Sequence, residues 1–92
     1  MLVTFKCKGY SSIPMFQDVA IQLLHFMRHS GTIPGALAVE DVSLALEALR
    51  TEVQQQPGRA LGADKISLRQ RATPLIGLLE HAVQYHYRVI WD

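Results

Sequence analysis

One cysteine, Cys7, in 92 residues leaves the chain without the means to form an intramolecular disulfide or a multi-cysteine metal cage. That scarcity points to a reducing compartment, and the cytoplasm is the expected location. Strong charge of either sign is also missing. Charged residues make up 18% and the formal net charge is +1, which excludes the composition of a disordered chain and the positive field of a dedicated nucleic-acid binder. Long apolar runs are absent too. The two most apolar stretches, residues 19–27 and 72–79, are broken by Gln22 and His25 or by Pro74 and Gly77, well short of the ~20 residues that span a bilayer. The first residues lack the basic, apolar and small-residue regions of a secretory signal. No Gly-Lys-Ser/Thr phosphate loop occurs, and no Ser-His-Asp arrangement can be named.

What is present is an apolar fraction of 49%, enough for one core and too little chain for two, so residues 1–92 are expected to form a single domain. Val3, Phe5 and Cys7 alternate with Thr4, Lys6 and Lys8, the period of a half-buried strand ending at Gly9. Over residues 14–29, Phe16, Val19, Ala20, Leu23, Leu24 and Met27 recur at three and four, with Asp18, Gln22, His25 and His29 opposite. This spacing predicts an amphipathic helix capped by Ser12, with Pro14 in its first turn and Gly31 closing it at positive φ. The apolar run 36–39 is a strand or the approach to the next helix. Glu40 and Asp41 open that helix, Val42, Ala45, Leu46, Leu49 and Val53 form its buried face, Glu47 and Arg50 lie outside, and Gln56-Pro57-Gly58 stops it near residue 55.

Residues 57–65 lack periodicity and predict a surface loop. Ser67 and Gln70 fit a capping box, after which Leu68, Ala72, Leu75, Leu79, Ala82, Val83 and His86 hold one helical phase across Pro74. A strand over 66–71 followed by a helix capped at Thr73 and starting at Pro74 is the alternative. Val89-Ile90-Trp91 reads as a short terminal strand. It is expected to pair with residues 2–8, with Trp91 buried.

The segment His29-Ser30-Gly31-Thr32-Ile33-Pro34-Gly35-Ala36 concentrates turn chemistry. Its Ser30, Gly31, Thr32, Pro34 and Gly35 are the candidate residues for a small-molecule site, although Glu40 and Asp41 at the following helix start disfavour phosphate there. His25 and His29, four apart on one helix face, are weak candidates for a metal, but no Glu adjoins His25 and two nitrogens do not complete a site. The plainer expectation is no metal, with both on a solvated face. His81 is expected exposed and His86 at the edge of the apolar stripe. Cys7, facing inward, predicts a buried, inert thiol. Ser11, Ser12, Ser30, Ser43 and Ser67 all fall near expected helix ends, where capping explains them. Lys6, Lys8, Arg59, Lys65, Arg69 and Arg71 allow a basic patch, poorly interleaved with aromatics since Tyr10 alone lies near the lysines. Tyr85, Tyr87 and Trp91 are expected to close the core.

Three stretches taken in order carry a family resemblance: residues 29–36, then Glu40-Asp41-Val42, then Leu68-Arg69-Gln70-Arg71-Ala72 with Pro74-Leu75. Together with Met1-Leu2-Val3-Thr4-Phe5-Lys6, they make the chain resemble a family of small bacterial proteins described as domain of unknown function 1840. The resemblance spans nearly the whole chain and implies a bacterial cytoplasmic protein. It brings no activity and no catalytic residues with it.

The expected architecture is a two-layer α+β domain, with helices over about 14–29, 41–55 and 67–87 packed on a small sheet that contains both terminal strands. With no convergent acid, base and nucleophile, the residues point away from an enzyme and imply no cofactor. The leading expectation is a non-catalytic interaction or adaptor module that meets a protein partner or a second copy of itself. Small-molecule or metal binding at the 29–36 loop is the alternative. Weak RNA binding through the lysines and arginines comes third, nucleic acid and membrane being disfavoured as partners.

Overall fold

A computed structural model describes residues 1–55 and 68–92 of the chain. The expected loop over 57–65, the Pro57-Gly58 stop, the capping hydroxyl of Ser67 and the cations Arg59 and Lys65 lie outside the described residues, as does the side chain of Arg69.

The alternation at the start of the sequence makes strand β1 (Leu2–Cys7), with Val3, Phe5 and Cys7 turned into the core. A turn closed by Tyr10 N–H donating to the Cys7 carbonyl at 3.1 Å leads to β2 (Ile13–Phe16), antiparallel to β1 from Leu2↔Phe16 to Phe5↔Ile13. This corrects the sequence expectation of a helix from residue 14. Ser12 caps nothing, Pro14 is a strand residue, and Phe16, expected on the buried face, is 59% exposed. Two physical facts account for it. An edge strand has one side without a ladder and so admits a residue lacking N–H, and the pleat that buries Met15 turns Phe16 outward.

Helix α1 (Gln17–Phe26) then carries Ala20, Leu23 and Leu24 inward, with Asp18 in the first turn where the helix dipole favours a negative charge. It ends sooner than expected. Arg28 takes φ 66°, the His29 N–H donates to Leu24 O at 2.9 Å, and the Arg28 N–H donates to His25 O at 3.0 Å, the two bonds of a Schellman cap. Gly31 does have positive φ, 88°, but it redirects the following loop and does not end the helix. The same left-handed stop recurs at His86 (φ 60°), where the Tyr87 N–H donates to Ala82 O at 3.0 Å. His86 is therefore an exposed cap residue, not the edge of an apolar stripe.

Left-handed backbone costs a side chain-bearing residue ~1–2 kcal/mol, so Arg28→Gly and His86→Gly should each stabilise the protein by up to about 1 kcal/mol. For a domain of this size that raises Tm by ~4–8 °C. A thermal melt of either variant that falls below the parent contradicts the cap assignment.

The run after the loop is a strand, β3 (Gly35–Leu37), followed at once by α2 (Val39–Gln54). Val42, Ala45, Leu46, Leu49 and Val53 are its buried residues, and Glu40 and Asp41 occupy its first turn, as the periodicity and charge placement predict. Helix α3 (Leu68–Tyr85) runs as one helix through Pro74, so phase continuity holds and the alternative strand over 66–71 is excluded from Leu68 on. Arg50 and Glu80 form an ion pair between α2 and α3 on the exposed side. Strand β4 (Val89–Trp91) inserts between β1 and β3, pairing Phe5↔Trp91 and Cys7↔Val89 on one side and Gly35↔Trp91 and Leu37↔Val89 on the other. The sheet order is β2-β1-β4-β3, every neighbour antiparallel.

The three helices and the sheet make the expected two-layer α+β arrangement. The inward sheet residues Val3, Phe5, Met15, Leu37, Val89 and Trp91 join the helical leucines in one apolar cluster. The other face of the sheet is uncovered by any described element and carries Leu2, Thr4, Lys6, Pro14, Phe16, Ala36 and Ile90. Among the described residues no helix is long and apolar enough to cross a membrane.

Candidate functional site

The glycine- and proline-rich loop is occupied with the terminal tryptophan. Trp91 is 1% exposed, and its Nε1–H donates to the Thr32 carbonyl at 2.9 Å. The His29 ring meets the indole edge-on at 4.8 Å, and Phe5 lies 5.7 Å away on the core side. Gly35 lies against the indole so closely that an added Cβ would stand 2.6 Å from Cζ2 and 2.7 Å from Cε2 and Nε1. Here glycine supplies a close approach of backbone to the indole. Pro34 follows a cis peptide bond from Ile33.

The remaining polar groups of the loop are largely satisfied within it. His25 Nε2–H donates to the Ser30 carbonyl at 3.2 Å, His29 Nδ1 accepts the Gly31 N–H at 3.1 Å, and the Ser30 and Thr32 hydroxyls bond each other at 2.8 Å. One nitrogen of each histidine is thus engaged by backbone, and the described residues contain no group of three His, Cys, Asp or Glu that could hold a metal ion. His29 is half-buried against Trp91 instead of solvated, whereas His25 is exposed.

A different constellation forms on the uncovered sheet face. A concavity of about 440 Å³ is lined by Lys6, Cys7, Lys8, Ser12, Tyr87, Arg88 and Ile90. Strand alternation puts Lys6 and Ile90 side by side as a cross-strand pair, and Lys8 and Arg88, the residues just beyond the end of β1 and just before the start of β4, line the same concavity. Lys6 is bound to Asp92 at 3.1 Å. Lys8 and Arg88 have no acidic partner among the described residues. Like charges gathered on one concavity repel each other, so folding alone gives no reason for this juxtaposition.

The cleft is braced from α3. His81 Nε2–H donates to the Lys8 carbonyl at 2.8 Å, and the His81 ring packs among Tyr10, Tyr85 and Tyr87 at 4.8–5.9 Å. His81 is therefore half-buried, not exposed as its sequence position suggests. Lys8 Nζ stands 5.5 Å from the Tyr87 ring centre, a cation–π contact that holds the ammonium over the cleft wall. Tyr85 is 53% exposed and does not close the core, whereas Trp91 is buried in it and Tyr87 packs, half-buried, against it.

Chemically the cleft offers cations, a serine and a tyrosine hydroxyl, and an aromatic wall. Cys7 is buried as its alternation predicts, and burial pushes its thiol above the ordinary value, which keeps it protonated and poorly nucleophilic. Sequence reasoning named Lys6 and Lys8 but missed Arg88, which the expected pairing of the terminal strand with residues 2–8 would have placed beside them. Arg71 does not line the cleft.

The model of the family described as Domain of unknown function (DUF1840) matches residues 1–91, and the chain belongs to that family. No curated protein and no solved structure matches the chain.

Proposed function

We propose that this member of the family is a non-catalytic interaction module, and that its uncovered sheet face receives an acidic segment of a partner protein. One observation carries the reading: Lys6, Lys8 and Arg88 converge on a cleft in a face that also exposes Leu2 (57%), Phe16 (59%) and Ile90 (37%). Cations beside exposed apolar side chains complement a segment that mixes carboxylates with apolar residues. The cleft brings together no general base, nucleophile and oxyanion donor, which supports a binding role over a catalytic one. A buried lone cysteine fits a cytoplasmic setting.

The test is fluorescence polarisation with a labelled peptide of alternating Glu and Leu, against the parent protein and the double variant Lys8→Glu/Arg88→Glu. The parent should bind saturably and more weakly as salt rises. The variant, with an unchanged melt, should lose about tenfold or more in affinity, as expected when charge-assisted bonds of ~1.5–3 kcal/mol are removed. Equal binding by both proteins, or tighter binding of a single-stranded RNA of similar length, overturns the reading.

A further inference from the structure

We infer that the cleft between Lys8 and Arg88 is a binding site for a phosphate monoester dianion. This rests on the reading that the uncovered sheet face is the binding surface, and it assigns the chemical group recognised there.

Charge bookkeeping selects the dianion. Three cations line the cleft, but Asp92 neutralises Lys6 across a 3.1 Å ion pair, which leaves Lys8 and Arg88 as two charges without an acid among the described residues. A phosphate monoester carries about −1.5 to −2 near neutral pH and presents three acceptor oxygens, whereas a carboxylate carries one charge on two oxygens. Two neighbouring cations are matched by the former and only half matched by the latter. Arginine adds a planar fork suited to bidentate phosphate contact, lysine adds a compact charge, and the Ser12 hydroxyl on the cleft rim is a further donor.

Position and shape agree with this assignment. Lys8 is held from two sides, its carbonyl by His81 Nε2–H at 2.8 Å and its ammonium by the Tyr87 ring at 5.5 Å, so the charge is presented with reduced freedom. Two like charges lining one concavity repel each other, and a bound dianion removes that repulsion. The cavity, about 440 Å³, exceeds a bare phosphate and lies in the range of small-molecule sites. The space beside Tyr87 and Ile90 suits an apolar or aromatic ester substituent.

Phenyl phosphate is the probe, titrated calorimetrically into the intact protein at fixed ionic strength, with benzoate as the carboxylate of similar shape. Phenyl phosphate should bind about tenfold tighter than benzoate, and Lys8→Gln/Arg88→Gln should erase that preference while Arg28→Gln, at the end of α1, leaves it unchanged. Both cleft side chains are solvent-facing, so the double variant should keep the parental melt. A peptide with one phosphoserine among glutamates separates the sources. Affinity well above that of phenyl phosphate assigns the group to a partner's segment, and equal affinity assigns it to a free phosphate ester. If benzoate binds as tightly as phenyl phosphate while the Glu-Leu peptide still binds, the phosphoryl assignment fails and the interaction surface stands. If neither small anion nor peptide binds, both fail.

Discussion

Replacing Trp91 by alanine is expected to cost about 3–5 kcal/mol and, against the ~5–15 kcal/mol typical of a whole domain, to leave the protein at the margin of folding. The indole is the largest of the fully buried side chains, 1% exposed, and it sits where β4 joins β1 to β3. Its loss leaves a cavity against Phe5 and strips the Thr32 carbonyl of its Nε1–H donor at 2.9 Å. Should the alanine variant not accumulate, Trp91→Phe keeps an aromatic ring against Phe5 and removes the donor, with a smaller expected loss of ~1–3 kcal/mol from the hydrogen bond and the reduced ring. Chemical denaturation reads both. A parental midpoint for Trp91→Phe together with a cooperative, near-parental transition for Trp91→Ala would show that the terminal strand does not close the sheet.

Gly35→Ala should also lower stability, by about 1–3 kcal/mol, through overpacking and not through loss of a contact. The new methyl would fall 2.6–2.7 Å from three indole atoms, and the ring cannot retreat because the Thr32 carbonyl and the Phe5 and His29 rings hold it. Tm should drop by ~10 °C for a domain of this size. The comparison with Gly31→Ala is informative. There the strain comes from φ 88° and from the His25 ring at 2.9 Å, an exposed side chain able to turn away, so the loss should approach the ~1–2 kcal/mol of left-handed backbone alone. A Gly35→Ala variant that melts with the parent would mean that the loop does not clasp the indole.

Where one face of an element is buried and the other wet, the sequence announces it. The alternation of Val3, Phe5 and Cys7, the stripe from Val42 to Val53 and the inward Val89 and Trp91 all survive into the structure for that reason. Residues 13–16 were less legible because Phe16 happens to extend the three-and-four spacing of Val19, Ala20 and Leu23, so a strand of four residues merges with the helical phase behind it. Both described Schellman caps were invisible, since Arg28 and His86 take left-handed backbone without the glycine that signals it. The glycines that did stand out, Gly31 and Gly35, belong to the clasp around Trp91. The indole lies against that loop, and this contact accounts for part of its density of turn residues.

The candidate site was half legible. Alternation in the sequence puts Lys6 and Lys8 on one side of the opening run, but Arg88 joins them only once β4 is registered against β1, and His81 becomes a brace only once α3 is laid across its end. Binding chemistry and folding chemistry then separate onto the two faces of one sheet. Trp91 and its loop belong to the packed side, and the cations Lys6, Lys8 and Arg88 to the uncovered one.

An amide chemical-shift map of the isotopically labelled protein on addition of phenyl phosphate tests that separation most directly. Shifts should cluster at residues 6–12 and 87–90 and leave residues 30–35 in place. Shifts centred on Ser30, Gly31, Thr32 and Gly35, with the Lys8 and Arg88 amides unmoved, would contradict the account and return the binding site to the loop.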